Sequence, residues 1–286
     1  MKTIHKLSLL LLFIGIFTES KAEDIQYSKH DSIKVMQLLK AGSQQDSSVN
    51  LILFYARKLK GIPYVAQTLE KNETEKLVVN LRQLDCTTYV ENVMALYLCT
   101  KNGQVRFKDF TTYLRLLRYE GGIVSYPHRL HYFSNWIADN HLMGYVEEVQ
   151  TPTPPFTGIQ TLEINYMSQH PDRYPMLVQY PLWVKDIAMM ENELNGKVFK
   201  YIPKGEISNT PIFRETIQDG DIIAIITNKK GLDTSHIGIA VWHQDGLHLL
   251  NASQVRRQVV EEPMTLYRYM QRHPSQTGIR IIRPLR

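Results

Sequence analysis

Cys86 stands at a break in the chain. The stretch Leu77-Val-Val-Asn-Leu-Arg-Gln-Leu84 reads as extended, Asp85 is a good helix cap, and apolar residues at 89, 90, 93, 96 and 97 recur at the spacing of an amphipathic helix. Cys86 is therefore predicted in the first helical turn, where unpaired N–H groups and the helix dipole favour a thiolate able to attack a carbonyl carbon. Inert packing is the competing reading, because that is what buried cysteine usually does. The second cysteine, Cys99, lies 13 residues further along the same predicted helix, about 20 Å at the helical rise. A disulfide needs Cα atoms within roughly 7 Å. The two cannot bridge within one chain, and Cys86 is expected to be a free thiol.

A thiolate needs a base to take up and return its proton, and the base needs an orienter. His236 begins Ser235-His-Ile-Gly-Ile-Ala-Val-Trp242, and Asn251 falls near the end of Leu247-His-Leu-Leu-Asn-Ala-Ser253. A hairpin between these runs sets His236 opposite or diagonal to Asn251. A tight two-residue turn at Asp245-Gly246 would instead pair His236 with Val255. Singly, His236 also reads as a strand-capping histidine and Asn251 as a turn residue. Zinc is the other route to amide hydrolysis, but none of the ten histidines forms His-Glu-x-x-His. His128 with His131, and His243 with His248, lack a carboxylate or cysteine partner at ligand spacing, so neither a metal centre nor any cofactor is expected.

The elements that must position these groups change character along the chain. Helices are predicted at Asp31 to Ala41, Asp46 to Lys60, the Cys86 helix and Phe107 to Glu120, with a polar loop at 67–76. Tyr126-Pro-His-Arg-Leu-His-Tyr-Phe-Ser-Asn-Trp-Ile-Ala-Asp-Asn140 is dense in aromatic and hydrogen-bonding side chains. Thr151-Pro-Thr-Pro-Pro155 is a rigid connector, Gln160 to Tyr166 is strand-like, and Leu182 to Leu194 is helical. Strands follow at 198–202, 221–227, 236–242, 247–251 and 279–282, with a helix at 264–271. Helices first and an antiparallel sheet afterwards make an α+β protein.

Met1-Lys-Thr-Ile-His-Lys6, the apolar run Leu7 to Phe17 and Ser20-Lys-Ala22 have the form of a secretory signal peptide over residues 1–22. The remaining chain is expected to be exported, with no membrane anchor, since no other stretch approaches the roughly 20 apolar residues of a spanning helix. Losing three lysines and one glutamate takes the net charge from +5 to +3. That near-neutral balance gives no electrostatic case for a nucleic-acid partner.

Gly61-Ile-Pro-Tyr64, Asp85-Cys86, Ser235-His-Ile-Gly-Ile239 and Asn251-Ala-Ser253, in this order, resemble the NlpC-type, papain-like bacterial cell-wall amidases. The chain departs from the usual pattern in having Thr87-Thr88 after the cysteine, and Asn251 where many members have histidine. Arg129-x-His-Tyr-Phe-Ser-x-Trp136 and the region to Tyr180 resemble a larger branch, the exported N-acetylmuramoyl-L-alanine amidases that act on anhydro-muropeptides. The resemblance implies one papain-like domain over 23–286 with an insertion around 121–180, in a periplasmic enzyme whose partner is a peptidoglycan fragment. It makes Cys86 the nucleophile, His236 the base, Asn251 the orienter and Tyr64 a support near the oxyanion. Asp85, Thr87 and Ser235, which flank the nucleophile and base, are expected at the substrate. Arg129, His131, Tyr132 and Trp136 are expected to read its sugar, although Tyr132, Trp136 and Asn140 also fall at the spacing of a core stripe. A γ-D-glutamyl-diamino-acid endopeptidase and an inactive sugar-binding module are the rival functions.

Overall fold

The computed structural model describes residues 25–285, so the expected signal peptide lies outside the described residues. The first half of the chain runs β1 (Ile25–Gln26), α1 (Lys29–Ser43), α2 (Leu51–Lys58), β2 (Leu77–Val78), α3 (Cys86–Lys101), α4 (Phe107–Arg118) and α5 (Phe133–Leu142). Next come β3 (Val146–Val149), β4 (Gly158–Thr161), the short α6 (Tyr166–Gln169) and α7 (Pro175–Gln179), α8 (Trp183–Leu194) and β5 (Val198–Pro203). The remainder is α9 (Pro211–Thr216), β6 (Ile222–Thr227), β7 (Thr234–His243), β8 (Gly246–Ser253), β9 (Gln258–Glu261), α10 (Leu266–Gln271) and β10 (Gln276–Pro284). Among these residues no helix is long and apolar enough to cross a membrane.

The architecture is α+β with an antiparallel sheet, as the sequence predicts. Its strand order is β4-β5-β10-β6-β7-β8-β9, and β3 also pairs with β10. Alternation along β7 sends Ile237, Ile239 and Val241 to the face covered by α3, where they join Leu96, Leu250 and Ala252 in one core. The opposite face packs Ala240, Leu249 and Ile225 against Phe213 of α9 and Met270 of α10. A third cluster joins Tyr126 and Tyr132 to Ile164, Met176 and Ile187, and so seats residues 126–194 beside the sheet.

Two predicted helices start elsewhere. Ser28 caps α1 in a capping box with Asp31, and Asn50 rather than Asp46 caps α2. The larger difference is α3. It is buried on every side from Thr88 to Cys99, not amphipathic. Its polar residues are satisfied internally: Glu91 accepts from Arg118 at 2.7 Å, and Asn92 donates to Thr88 O at 2.6 Å. Such pairing is what allows polar side chains inside a helix that has no wet face.

Candidate active site

Cys86 is the first residue of α3. The Asp85 carboxylate accepts from both Thr88 N and Thr88 Oγ1 at 2.8 Å, while Asp85 N donates back to Thr88 Oγ1. This reciprocal cap fixes the helix start and with it the sulfur. The Asp85 carboxylate thus caps its own helix, and Asp85, expected at the substrate, is absent from the lining of the cleft onto which Cys86 and His236 open. The thiol is free, half-buried, and faced by the backbone N–H groups of Ile237 and Thr87.

His236 owes its aim to an irregularity. Along β6 and β7, Ile225 pairs with His236 but Ile226 pairs with Thr234, so Ser235 is an extra residue, a bulge that bends the strand before the histidine. The β7–β8 turn is Gln244-Asp245, which places Ile239 opposite Leu250 and sets His236 diagonal to Asn251. His236 Nε2 lies 2.8 Å from Asn251 Oδ1. The Asn251 amide is oriented by its NH2, which donates to Leu249 O and Val260 O at 3.4 Å. An amide oxygen only accepts, so Nε2 carries the proton and Nδ1 keeps its lone pair as the basic atom. Gly238 makes room for this pair, since a Cβ there would come within 3.0 Å of Asn251 Cβ and 2.7 Å of Leu249 Cδ1.

Burial dominates the electrostatics. It pushes the Cys86 thiol up to about 11, with Asp85 adding to the effect and the N–H of Ile237 opposing it. Burial also holds His236 below the ordinary histidine value, against the Asn251 hydrogen bond, with His273 lowering it further and Glu262 and Asp85 raising it. The helix start does not by itself yield a resting thiolate. Both shifts favour the neutral forms of sulfur and imidazole. Tyr64, bridged through its backbone to Leu84, lies within electrostatic reach of Cys86, and burial pushes its hydroxyl up to about 12.

Cys86 and His236 open onto a cleft of about 240 Å3 that Thr87, His131, Tyr132 and Ser235 also line. His131 Nε2 donates to Tyr126 O at 2.8 Å, and burial next to Arg129 drives its imidazole down to about 3, so it stays neutral with Nδ1 an acceptor. Tyr132 is held from behind, its hydroxyl donating to Glu191 Oε1 at 2.7 Å. Two expected sugar contacts are elsewhere. Trp136 is wholly buried and stacked on Phe133, because the Tyr132-Trp136-Asn140 stripe is the core face of α5. Arg129 is 6% exposed, paired with Glu70 at 2.5 Å and Glu75 at 3.7 Å, and lies over the Tyr126 ring. Removing one partner of a buried ion pair strands the other. Arg129→Ala is accordingly expected to cost about 3–5 kcal/mol in urea unfolding; a loss under about 1 kcal/mol with selectively weakened substrate binding would return Arg129 to the sugar set.

A family model described as N-acetylmuramoyl-L-alanine amidase-like (AmiA-like) matches residues 55–279. The chain belongs to this amidase-like family. Its fold is similar to that of an N-acetylmuramoyl-L-alanine amidase from Bacteroides uniformis, at 34% identity over 86% of this chain and 100% of that one, with a TM-score of 0.77. It is also similar to a Bacteroides fragilis protein with a proposed xylanase assignment, at 38% identity, 80% and 99% coverage and a TM-score of 0.74. A Legionella pneumophila protein at 22% identity shares the fold, with a TM-score of 0.69 over 90% of this chain and 95% of that one. No curated protein matches.

For an amidase-like chain the substrate derives from peptidoglycan, and the cleft holds residues that sequence reasoning missed. Met167, Tyr174 and Leu232 line it. Asp233 also lines it, and accepts from Ser134 N at 2.6 Å and Thr234 N at 2.7 Å, which ties the start of α5 to the strand just before the bulge. Glu262, 2% exposed, follows β9, where Val260 pairs with Asn251. The sequence signal for Asp233 was its place three residues before His236; Glu262 gave none.

Proposed function

We propose that this protein is a cysteine-dependent N-acetylmuramoyl-L-alanine amidase of the NlpC-type, papain-like kind, exported to the periplasm and acting on muropeptides, those with an anhydro sugar included. The observation that carries the reading is the His236 Nε2 to Asn251 Oδ1 contact in the cleft that holds Cys86, within a chain of the amidase-like family. Proton transfer to His236 Nδ1 frees the thiolate, which attacks the lactyl carbonyl. The oxyanion is held by N–H groups at the α3 start, with Tyr64 beside them. His236 protonates the departing L-Ala nitrogen, the stem peptide leaves, and water activated by the same ring hydrolyses the thioester. Residues 121–180, read as an insertion in a single domain over 23–286, supply His131, Tyr132, Met167 and Tyr174 to the acyl end of the cleft.

Glycosidase chemistry, suggested by the xylanase assignment of one relative, needs two opposed carboxyl groups. Among the described residues Asp233 is the one carboxylate lining the cleft, and both its oxygens accept backbone N–H groups. The endopeptidase reading uses the same cysteine chemistry further along the stem peptide, and product identity separates it. Mass spectrometry after digestion of a defined disaccharide-peptide is expected to give the free disaccharide and an intact stem peptide beginning at L-Ala. A product cut after D-glutamate, or efficient cleavage of the bare peptide, hands the case to the endopeptidase.

The pH dependence follows from the direction of the shifts. A histidine held below its ordinary value of 6.5 keeps its neutral, basic form to lower pH. The acid limb of kcat/KM is expected below pH 6.5, where His236 takes a proton while Cys86 is still a thiol. A limb centred above pH 6.5 contradicts the neutral pair.

A further inference from the structure

Apart from the cleft that Cys86 and His131 line, a larger groove of about 420 Å3 lies between α1, the end of α2 and residues 60–63 and 81–82. It is lined by Ile62, Pro63 and Leu81, with Lys34 of α1, Lys58 at the end of α2, Lys60 and Arg82. Two carboxylates oppose these cations, and both are already engaged. Asp31 is buried, accepts from Leu81 N at 2.9 Å and pairs with Arg82 at 3.3 Å. Glu261 lies 3.7 Å from Lys60 and also serves Arg57 at 3.2 Å. Lys58 lies over the Phe54 ring. The groove therefore keeps a positive balance of two, with Lys34 and Lys58 opposed by neither carboxylate.

Two backbone stretches join this groove to the reacting atoms. Tyr64 is bridged in parallel to Leu84, Leu84 N donates to Pro63 O at 3.0 Å, and Val65 N donates to Leu84 O at 3.0 Å. Residues 63–65 thus lie against Leu84, two residues before Cys86. The five steps from Leu81 to Cys86 span at most about 17 Å of extended chain. An amide cleaved at Cys86 has two halves, and the amidase reading, on which this inference rests, puts a sugar in the His131 cleft. The other half is a stem peptide whose γ-linked glutamate and diamino acid each carry a free carboxylate.

We propose that the Lys34–Lys58–Arg82 groove is the leaving-group subsite, binding an acidic peptide through its carboxylates. The rim cations are exposed enough for salt to screen them, so the subsite acts by summed attraction and its contribution fades with ionic strength.

The test compares a muropeptide carrying L-Ala-γ-D-Glu-diamino acid with one that ends at L-alaninamide, using the Lys34→Gln, Lys58→Gln double variant at low salt. The ratio of kcat/KM for the acidic over the neutral substrate is expected to fall about tenfold, and the salt dependence of the acidic substrate to flatten. Equal loss on both substrates, or no loss, overturns the subsite. A second arm needs no turnover: calorimetry of the free L-Ala-γ-D-Glu-diamino acid peptide, and of the same peptide with its carboxylates amidated. The free peptide is expected to bind the unaltered protein about tenfold more tightly than it binds the double variant, and the amidated one to show no such difference. Binding indifferent to the lysines or to amidation overturns the subsite even if the amide bond is cut. Lysine-dependent peptide binding without cleavage of the sugar-peptide amide retains the subsite and refutes the amidase reading.

Discussion

Cys86→Ala is expected to lower turnover of a muropeptide by on the order of 10⁵- to 10⁶-fold while leaving the unfolding midpoint close to that of the unaltered protein. The substitution removes one half-buried sulfur from the first residue of α3, and the reciprocal Asp85–Thr88 cap that starts the helix stays intact. No other cysteine stands in for it. Cys99 is wholly buried near the C-terminal end of the same helix, and Cys99→Ala is expected to retain activity. Product formation followed by chromatography, with a thermal melt on the same samples, checks both statements. Near-normal turnover by the Cys86 variant would show that the nucleophile has been misassigned.

His236→Ala should match that loss, since base and nucleophile act as a unit. Asn251→Ala should lose less, on the order of 10²- to 10⁴-fold, because the imidazole remains but its tautomer and tilt are no longer set by Oδ1. Asn251→Asp separates orientation from charge. A carboxylate beside the ring favours imidazolium, so the acid limb of kcat/KM moves to higher pH, opposite to the direction burial imposes. If Asn251→Ala is as inactive as His236→Ala, or Asn251→Asp leaves the acid limb in place, the orienting role fails.

The placement of Cys86, His236 and Asn251 was legible because each sits at a local signal. Asp85 before a helical period located Cys86, and the two strand-like runs with a turn between them brought His236 to Asn251. What the sequence hid was long-range. β3 is Val-Glu-Glu-Val, and its charges argue against a strand until Glu148 is seen accepting from buried Arg280 at 2.5 and 2.9 Å. β9 is four residues beside Arg256-Arg257 and too short to stand out. Arg129 and Trp136 looked like a sugar platform because flat, hydrogen-bonding side chains serve a binding face and a core equally well. Only the positions of Glu70, Glu75 and Phe133 decide between the two uses. The thiolate expectation weighed the helix dipole without the desolvation that only three-dimensional burial reveals.

The place of β10 bears on when the sheet that carries His236 and Asn251 becomes complete. This strand, from Gln276 to Pro284, is paired by β6 along one side and by β5 and β3 along the other, and its Arg280 holds both Glu148 and Ser134 Oγ. Ser134 N in turn is held by Asp233, next to the bulge that aims His236. A ribosome that has just finished Asn251 has made Cys86, His236 and Asn251, yet the sheet still lacks the strand that joins β6 to β5 and β3. Non-local pairings of this kind form late, after the intervening chain is available. A nascent chain can therefore form the local β7–β8 hairpin that joins His236 to Asn251 before β10 docks and closes the sheet around it.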